Sequence, residues 1–200
     1  RQNNERTRAR KATTLRMFYK YLNVQKRILD ENPLQELDAP KIKKTLPKYL
    51  TLEESLDLLK AVDGKFKERD YCILTLFLNC GMRLSELVSL NLSDIKSDGS
   101  LVITGKGNKQ RLVYLNQACI DAINAYLPVR PNEGVPANYK NALFISRNKR
   151  RISNKTVQHI VKTYLEKAGL GDQGLSTHKL RHTAATLMYQ HGNVDIRVLQ

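Results

Sequence analysis

The chain has 200 residues, of which 41 % are hydrophobic, so it is long enough for one or two domains with an apolar core. Its 34 Lys and Arg residues against 19 Asp and Glu residues give a net charge of +15, which indicates a polyanionic partner, most often nucleic acid. No apolar run approaches the ~20 residues of a membrane span, and the first residues lack the apolar region of a signal peptide. These features predict a cytoplasmic protein without a membrane span, and nucleic acid is favoured over an acidic membrane surface as the polyanionic partner.

The first half of the chain predicts a helix, a linker and two further helices. A basic helix is predicted from residue 5 to about residue 29, before Asn32 and Pro33 end the pattern. Residues 39–48 hold two prolines and four lysines without periodicity, which predicts a linker between one domain at 1–38 and another at 49–200. A capping box at Thr51 and Glu54 opens a helix to about residue 62, and an apolar helix follows from 67 to 79.

The second half changes its hydrophobic period and then returns to helices. Residues 100–114 form two β-type runs around a Gly-Lys-Gly-Asn-Lys segment, which predicts a hairpin with a cationic tip. Helices are predicted at 116–127, 153–168 and 177–190, with a short strand at 143–145 and a further helix from Asn193. The predicted fold class is mainly α with a small antiparallel β-hairpin (α+β).

The three cysteines, Cys72, Cys80 and Cys119, predict neither a disulfide framework nor a zinc site. Their number is odd, two of them lie in an apolar stretch, and no Cys-x-x-Cys or Cys/His ligand spacing occurs. We therefore expect reduced thiols in an intracellular protein and no bound metal.

The basic charge is concentrated in separate segments. Residues 1–50 carry 13 basic and 5 acidic residues, residues 51–100 carry 6 and 9, and residues 101–200 carry 15 and 5. Because like charges on neighbouring surfaces repel one another, this distribution favours a polyanionic partner over a uniformly solvated surface.

Three cationic features suit phosphate chemistry, although each has a simpler explanation. Arg83 follows a helix-ending glycine one turn before Glu86, so it forms either a phosphate-binding arginine held by a glutamate or an ordinary surface ion pair. Lys106 lies between two glycines, which suits close approach to a ligand but also an ordinary solvated turn. His178 and Arg181 share a helix face, where the histidine could transfer a proton or be purely structural.

The order of these features resembles the tyrosine recombinase (phage integrase) family, and most of all its Xer-type site-specific recombinases. Residues 81–87 resemble the first-arginine motif of the family, residues 103–111 its β-hairpin lysine motif, and residues 178–186 its His-x-x-Arg box. The resemblance covers nearly the whole chain. It implies that residues 1–38 are the end of a helical core-binding domain and that residues 49–200 belong to a catalytic domain.

The resemblance implies an enzyme that cleaves and rejoins DNA strands through a 3′-phosphotyrosyl intermediate, without a metal or another cofactor. Arg83 and Arg181 would bind the scissile phosphate, and Glu86 would support them. Lys106 would protonate the leaving 5′ oxygen, and His178 would assist proton transfer. Nucleophilic catalysis and preorganised cations are physically suited to this reaction.

None of the tyrosines in the chain is assigned as the nucleophile. Tyr189 is the nearest candidate, but eleven residues separate it from His178 on the same predicted helix, about 16 Å at 1.5 Å per residue. The resemblance places the nucleophile beyond Gln200 and the first part of the core-binding domain before Arg1. The chain by itself is therefore expected to be inactive.

The resemblance also implies the partners. Double-stranded DNA would be bound by a homo- or hetero-tetramer that is monomeric in solution, and an activating DNA translocase is a further implied partner. Two alternatives remain at this stage: an enzyme like the type IB topoisomerases, which use a similar residue set, and a catalytically inactive DNA-binding module.

Overall fold

The computed structural model of the chain describes residues 3–35, residue 37 and residues 48–191, without the side chains of Lys106 and His191. The chain divides into two compact units, Arg1–Leu46 and Pro47–Gln200. The linker predicted at 39–48, apart from its last residue, and the helix predicted from Asn193 lie outside the described residues. Within the described part, regular structure consists of helices and one two-stranded antiparallel sheet, which confirms the predicted fold class.

The first unit contains helix α1 (Glu5–Lys20), which continues into a π-helical turn at Tyr21–Gln25. The prediction of a helix to about residue 29 was therefore too long by about one turn. Arg27 accounts for the difference, because it adopts the left-handed conformation (φ 51°), through which a right-handed helix does not continue. Beyond it, the Asn23 side-chain amide donates hydrogen bonds to the carbonyl oxygens of Leu29 (2.9 Å) and Asp30 (2.8 Å) and holds the non-helical segment.

The second unit contains, in chain order, α2 (Leu52–Lys60), α3 (Lys67–Cys80), α4 (Leu84–Ser89), β1 (Ser100–Thr104), β2 (Gln110–Tyr114), α5 (Gln117–Tyr126), α6 (Asn154–Lys167) and α7 (Thr177–His191). Helix α3 lies at its centre. Fully buried side chains occupy nearly consecutive positions along α3: Cys72, Ile73, Leu74, Leu76 and Phe77. A helix that is apolar on all sides must be enclosed by other elements, and α5 and α7 make its most extensive contacts.

Local sequence signals place most helix ends correctly. The capping box is present at the start of α2, where the Thr51 amide donates to the Glu54 carboxylate (2.8 Å) and the Glu54 amide donates to the Thr51 hydroxyl (3.1 Å). Gly81 ends α3 in the left-handed conformation (φ 54°). Helix α4 was not predicted, because six residues are too few for a periodic pattern.

The predicted β-hairpin is confirmed. Strands β1 and β2 pair antiparallel, with Ser100 opposite Tyr114 and Thr104 opposite Gln110. Between them, a 3₁₀ turn at Lys106–Asn108 forms the tip, where Gly107 (φ 73°) adopts the left-handed conformation that glycine permits.

The prediction of a short strand at 143–145 was wrong. Buried arginines donate hydrogen bonds to backbone carbonyls of this segment, so these carbonyls do not pair with another strand. Arg130 donates through Nε to the carbonyl oxygens of Ala142 (3.2 Å) and Leu143 (3.1 Å), and Arg69 donates through Nη1 to that of Ile145 (3.3 Å). Only isolated bridges remain in the described structure here, such as the one between Ile145 and Arg151.

A threonine on α7 ties the beginning of the second unit to that helix. The fully buried Thr183 hydroxyl accepts a hydrogen bond from the backbone amide of Leu50 (2.9 Å) and donates one to the carbonyl of Lys179 (3.0 Å). Leu50 is itself fully buried, so its amide has no access to water as a substitute partner.

We expect Thr183→Val to destabilise the protein by about 1–3 kcal/mol, because it leaves the buried Leu50 amide without an acceptor. Thr186 is the matched control. Its hydroxyl also donates to the carbonyl four residues earlier, that of His182 (2.9 Å), and this is the only hydrogen bond recorded for that hydroxyl in the described structure. Urea unfolding should show a much smaller loss for Thr186→Val. Equal losses for the two variants would contradict the role assigned to Thr183.

Candidate functional site

The turn between α3 and α4 presents Arg83 to solvent. Gly81 reverses the chain at the end of α3, and the next side chain, Met82, is fully buried beneath the turn. Arg83 then occupies the N-terminal cap position of α4, with 55 % of its side chain exposed. The backbone therefore holds this guanidinium at the surface, where an anion can reach it.

Glu86 is a buried carboxylate, and its side chain is only 2 % exposed. Oε1 accepts hydrogen bonds from Nη1 of Arg83 (2.8 Å) and Nη1 of Arg111 (3.0 Å). Oε2 accepts from the backbone amide of Arg83 (2.8 Å) and from Nη2 of Arg111 (2.9 Å). Burial by itself raises the pKa of this carboxyl, but the hydrogen bonds from Arg111 and Arg83 outweigh it and lower the pKa to about 2.

Arg111 is a site residue to which the sequence analysis gave no role. Along β2, Arg111 and Val113 are the half-buried positions, whereas Leu112 and Tyr114 are exposed. Apolar side chains lie on both faces of this strand, so the sequence did not indicate which face turns inward. A charged side chain at an inward position of a strand needs a buried partner of opposite charge. Glu86 is that partner, 25 residues earlier in the chain, and sequence spacing alone gave no indication of the pairing.

Arg181 reaches the same site from α7. Its Nη1 donates a hydrogen bond to the carbonyl oxygen of Gly81, directly beside the turn that carries Arg83. Burial lowers the pKa of the Arg181 guanidinium, and the nearby charges of Arg83 and Arg111 lower it further, whereas Glu86 opposes them. The structure thus brings together Arg83, Glu86 and Arg181, as the sequence predicts, and adds Arg111.

His178 and Lys106 are placed less completely. His178 is exposed near the start of α7, and its ring packs edge-to-face on His182 with 5.0 Å between ring centroids. The Lys106 side chain lies outside the described residues, but its backbone follows Gly105 in the hairpin tip. A Cβ atom at Gly105 would lie 3.4 Å from Oε1 of Glu86. The hairpin tip that carries Lys106 therefore begins next to the buried carboxylate.

An open groove of 610 Å³ adjoins this cluster, lined among others by Arg83, Glu86, Thr104 and Gly105. Three guanidinium groups and one carboxylate leave a local charge of about +2, which suits a phosphate group. In the described part of the chain, no group of three or more His, Cys, Asp and Glu side chains could hold a metal ion.

A second groove, of 640 Å³, lies beside the N-terminal half of α6. Six of its lining residues carry basic or titratable nitrogen side chains: Arg69, Arg147, Arg150, Arg151, Lys155 and His159. Two of them have structural roles, because Arg69 is ion-paired with Asp70 (2.8 Å) and Arg151 donates to the carbonyl of Leu90 (2.9 Å). The other four are exposed, and Arg147, Arg150 and Lys155 among them give the surface of the second unit another cationic area.

None of the helices in the described residues combines the length and hydrophobicity that a membrane-spanning helix needs.

Tyr189, the tyrosine nearest to the His178 motif, lies near the end of α7, and 56 % of it is exposed.

Comparison with known proteins identifies the family. The model of the phage integrase family matches residues 48–200, and the chain belongs to this family. It is 59 % identical over 200 residues to the tyrosine recombinase XerC of Caldanaerobacter subterraneus subsp. tengcongensis, with 100 % of this chain and 56 % of that protein covered. It is 38 % identical over 199 residues to XerC of Alcanivorax borkumensis, with 98 % of this chain and 64 % of that protein covered. The chain thus spans 56 % and 64 % of the lengths of these two relatives.

Solved structures agree with the fold. The crystal structure of XerA recombinase is 27 % identical, with a TM-score of 0.67, and the match covers 94 % of this chain and 72 % of that one. XerH site-specific recombinase bound to palindromic difH substrate has a TM-score of 0.72 at 21 % identity, over 99 % of this chain and 64 % of that one. The second likeness supports the fold alone.

We expect Glu86→Gln to destabilise the protein at pH 7 by an amount that shrinks as the pH falls from about 5 towards 2. The pKa of Glu86 is about 2 in the folded protein, against about 4.3 in an unfolded chain. Ionisation therefore stabilises the folded state above the unfolded pKa, and this contribution is lost as the carboxyl becomes protonated in the folded state. Urea unfolding across this pH range measures the difference.

Glu133→Gln is the matched control, because Glu133 is exposed and is not ion-paired in the described structure. It should change stability little at any pH. A loss in Glu86→Gln that stays constant from pH 7 to pH 2 would show that the carboxylate charge does not support the site.

Proposed function

We propose that the chain is the central part of a site-specific DNA recombinase that cleaves and rejoins strands through a 3′-phosphotyrosyl intermediate. The observation that carries the proposal is the convergence of Arg83 and Arg181 at the turn around Gly81. The two arginines are about a hundred residues apart in the chain and meet beside a buried carboxylate that neutralises only part of their charge. The high identity to proteins named XerC supports recombination over the topoisomerase alternative.

Arg83 and Arg181 bind the two non-bridging oxygens of the scissile phosphate in this mechanism. Charge grows on these oxygens as the nucleophile adds to phosphorus, and fixed guanidinium groups stabilise it without reorganising. Glu86 keeps the Arg83 side chain in one orientation, because the same carboxylate accepts from both its guanidinium and its backbone amide. No metal or other cofactor takes part.

Lys106 and His178 handle the protons. Lys106, on a hairpin tip that begins beside Glu86, protonates the 5′ oxygen as it leaves. His178 lies one helical turn before Arg181 and assists proton transfer near neutral pH. The nucleophile is a tyrosine beyond Gln200, and Tyr189 is not used because it lies eleven positions after His178 on α7.

Double-stranded DNA is the proposed substrate and partner. The exposed side chains of Arg147, Arg150 and Lys155 in the second groove supply cations for backbone phosphates outside the scissile position. We further propose that the protein is cytoplasmic and monomeric in solution, binds a two-arm site as two protomers and acts as a homo- or hetero-tetramer, with a DNA translocase as an activating partner. The domain at 1–38 and its linker contribute further basic contacts.

We expect a mobility-shift titration on a two-arm DNA site to give two shifted species that appear in sequence. Both should weaken steeply with salt, because each neutralised phosphate releases condensed counterions. Six phosphate contacts correspond to a loss of ~10³-fold in affinity between about 50 and 200 mM salt. One shifted species at every protein concentration would contradict the assembly, and an affinity independent of salt would contradict the DNA interface.

We expect the proposed division of roles to appear with a substrate whose bridging 5′ oxygen is replaced by sulfur. Sulfur is a better leaving group and needs little protonation, so Lys106→Ala should be slow on normal DNA and largely rescued on this substrate. Arg83→Ala and Arg181→Ala should stay slow on both, by ~10²–10³-fold, because they act on the non-bridging oxygens. The measurement is the amount of covalent protein–DNA complex formed by the full-length protein, which carries the tyrosine.

Lys109→Ala is the control on the same hairpin. Rescue of Lys109→Ala in place of Lys106→Ala would make Lys109 the general acid. An equal response of the Lys106, Arg83 and Arg181 variants to sulfur would rule out the separation of roles. The 200-residue chain itself should trap no covalent DNA on either substrate.

A further inference from the structure

Arg111 is a cation at the proposed site that no step of the reaction uses. Its side chain is 38 % exposed, and both of its terminal nitrogens are occupied by Glu86. Glu86 in turn holds the backbone amide and the guanidinium of Arg83. One carboxylate therefore links strand β2 to the first turn of α4. We infer that Arg111 is a positioning residue, which orients Arg83 towards the scissile phosphate through Glu86; this inference rests on the proposed function.

The hydrogen-bond pattern explains why the link requires an arginine. Each oxygen of Glu86 accepts one bond from Arg83 and one from Arg111, so the plane of the carboxylate is fixed from two sides. The guanidinium fork supplies two parallel N–H groups at the spacing of the two oxygens, whereas a lysine supplies a single point charge. Without the fork, Oε2 keeps its bond to the backbone amide of Arg83, but Oε1 keeps only its bond to the Arg83 guanidinium, so nothing else fixes the oxygen that orients this guanidinium.

The link also determines whether Glu86 is ionised. The charged groups that face it are Arg83 from α4, Arg111 from β2 and Arg181 from α7, and the hairpin contributes only the backbone at Gly105. Burial opposes ionisation. When Arg111 is replaced by a neutral residue, burial is opposed by fewer positive charges and fewer hydrogen bonds, so the pKa of Glu86 must rise. A protonated Glu86 no longer attracts Arg83 by charge.

The first test measures the pKa of Glu86 by carboxyl-carbon NMR in the 200-residue chain, without DNA. In Arg111→Gln we expect the pKa to rise from about 2 by more than ~1 unit, and in Arg111→Lys by less, because the charge is retained. Arg150→Gln is the matched control, since it removes the same charge from an exposed position and should leave the pKa unchanged. If Arg111→Gln does not fold, Arg111→Lys gives the comparison.

The second test measures cleavage at pH 7 in the full-length protein. We expect Arg111→Gln to lower the rate by ~10–100-fold, the scale of a mispositioned catalytic group. The double variant should be no slower than Glu86→Gln alone, because the two residues act in one chain of contacts.

Two outcomes would overturn the inference. These are an unchanged Glu86 pKa in Arg111→Gln, and losses of cleavage rate for Arg111→Gln and Glu86→Gln that simply multiply in the double variant. Failure of the proposed function looks different. In that case the unsubstituted full-length protein forms no covalent complex with DNA, while the NMR titration still reports whether Arg111 holds Glu86.

Discussion

The site depends on a single buried carboxylate that neutralises part of a cationic cluster. Arg83, Arg111 and Arg181 lie close enough for the first and second to depress the pKa of the third, so the three guanidinium groups repel one another. Such a cluster is stable only with a negative charge among its members, and Glu86 supplies it with four hydrogen bonds. The carboxylate is itself too buried to be stable without these arginines. The three arginines therefore require the carboxylate, and the carboxylate requires the arginines.

Several elements of the fold converge to place this charge. The left-handed Gly81 ends the buried helix α3 and turns the chain so that α4 begins at Arg83. Helix α7 packs against α3, which brings Arg181 to the Gly81 carbonyl. Strand β2 adds Arg111 from the hairpin. Because α3 is enclosed by the apolar core, the position of the turn is set by packing, and the polar site inherits its rigidity from that core.

The sequence predicted well what depends on local signals. The helices α2, α3, α5, α6 and α7 and the two strands of the hairpin follow from periodicity, capping residues and turn chemistry within a few residues. The contacts that the sequence did not predict are those between distant positions. The short strand at 143–145 failed because Arg130 and Arg69 capture its carbonyls, and no local pattern indicates which backbone a buried arginine will reach.

The candidate site shows the same difference between local sequence signals and contacts between distant positions. Arg83, Glu86, Lys106, His178 and Arg181 were proposed from motifs, and their roles stay predictions, although the structure brings three of them together. Arg111 lies inside one of those motifs, but its importance depends on a partner in another element. Because both faces of β2 carry apolar side chains, the sequence does not indicate that Arg111 points inward, and only the tertiary structure shows that Glu86 meets it there.

Incomplete neutralisation is what suits the cluster to phosphate chemistry. If two carboxylates faced the three arginines, little positive charge would remain, and if none did, mutual repulsion would spread the side chains apart. With one carboxylate, a net positive charge persists and its geometry is fixed before substrate arrives. A phosphodiester brings one negative charge in its ground state and accumulates a second as the nucleophile adds. In the proposed mechanism, the cluster is therefore more complementary to the charge of that transition state than to that of the ground state, which is the condition for accelerating a reaction.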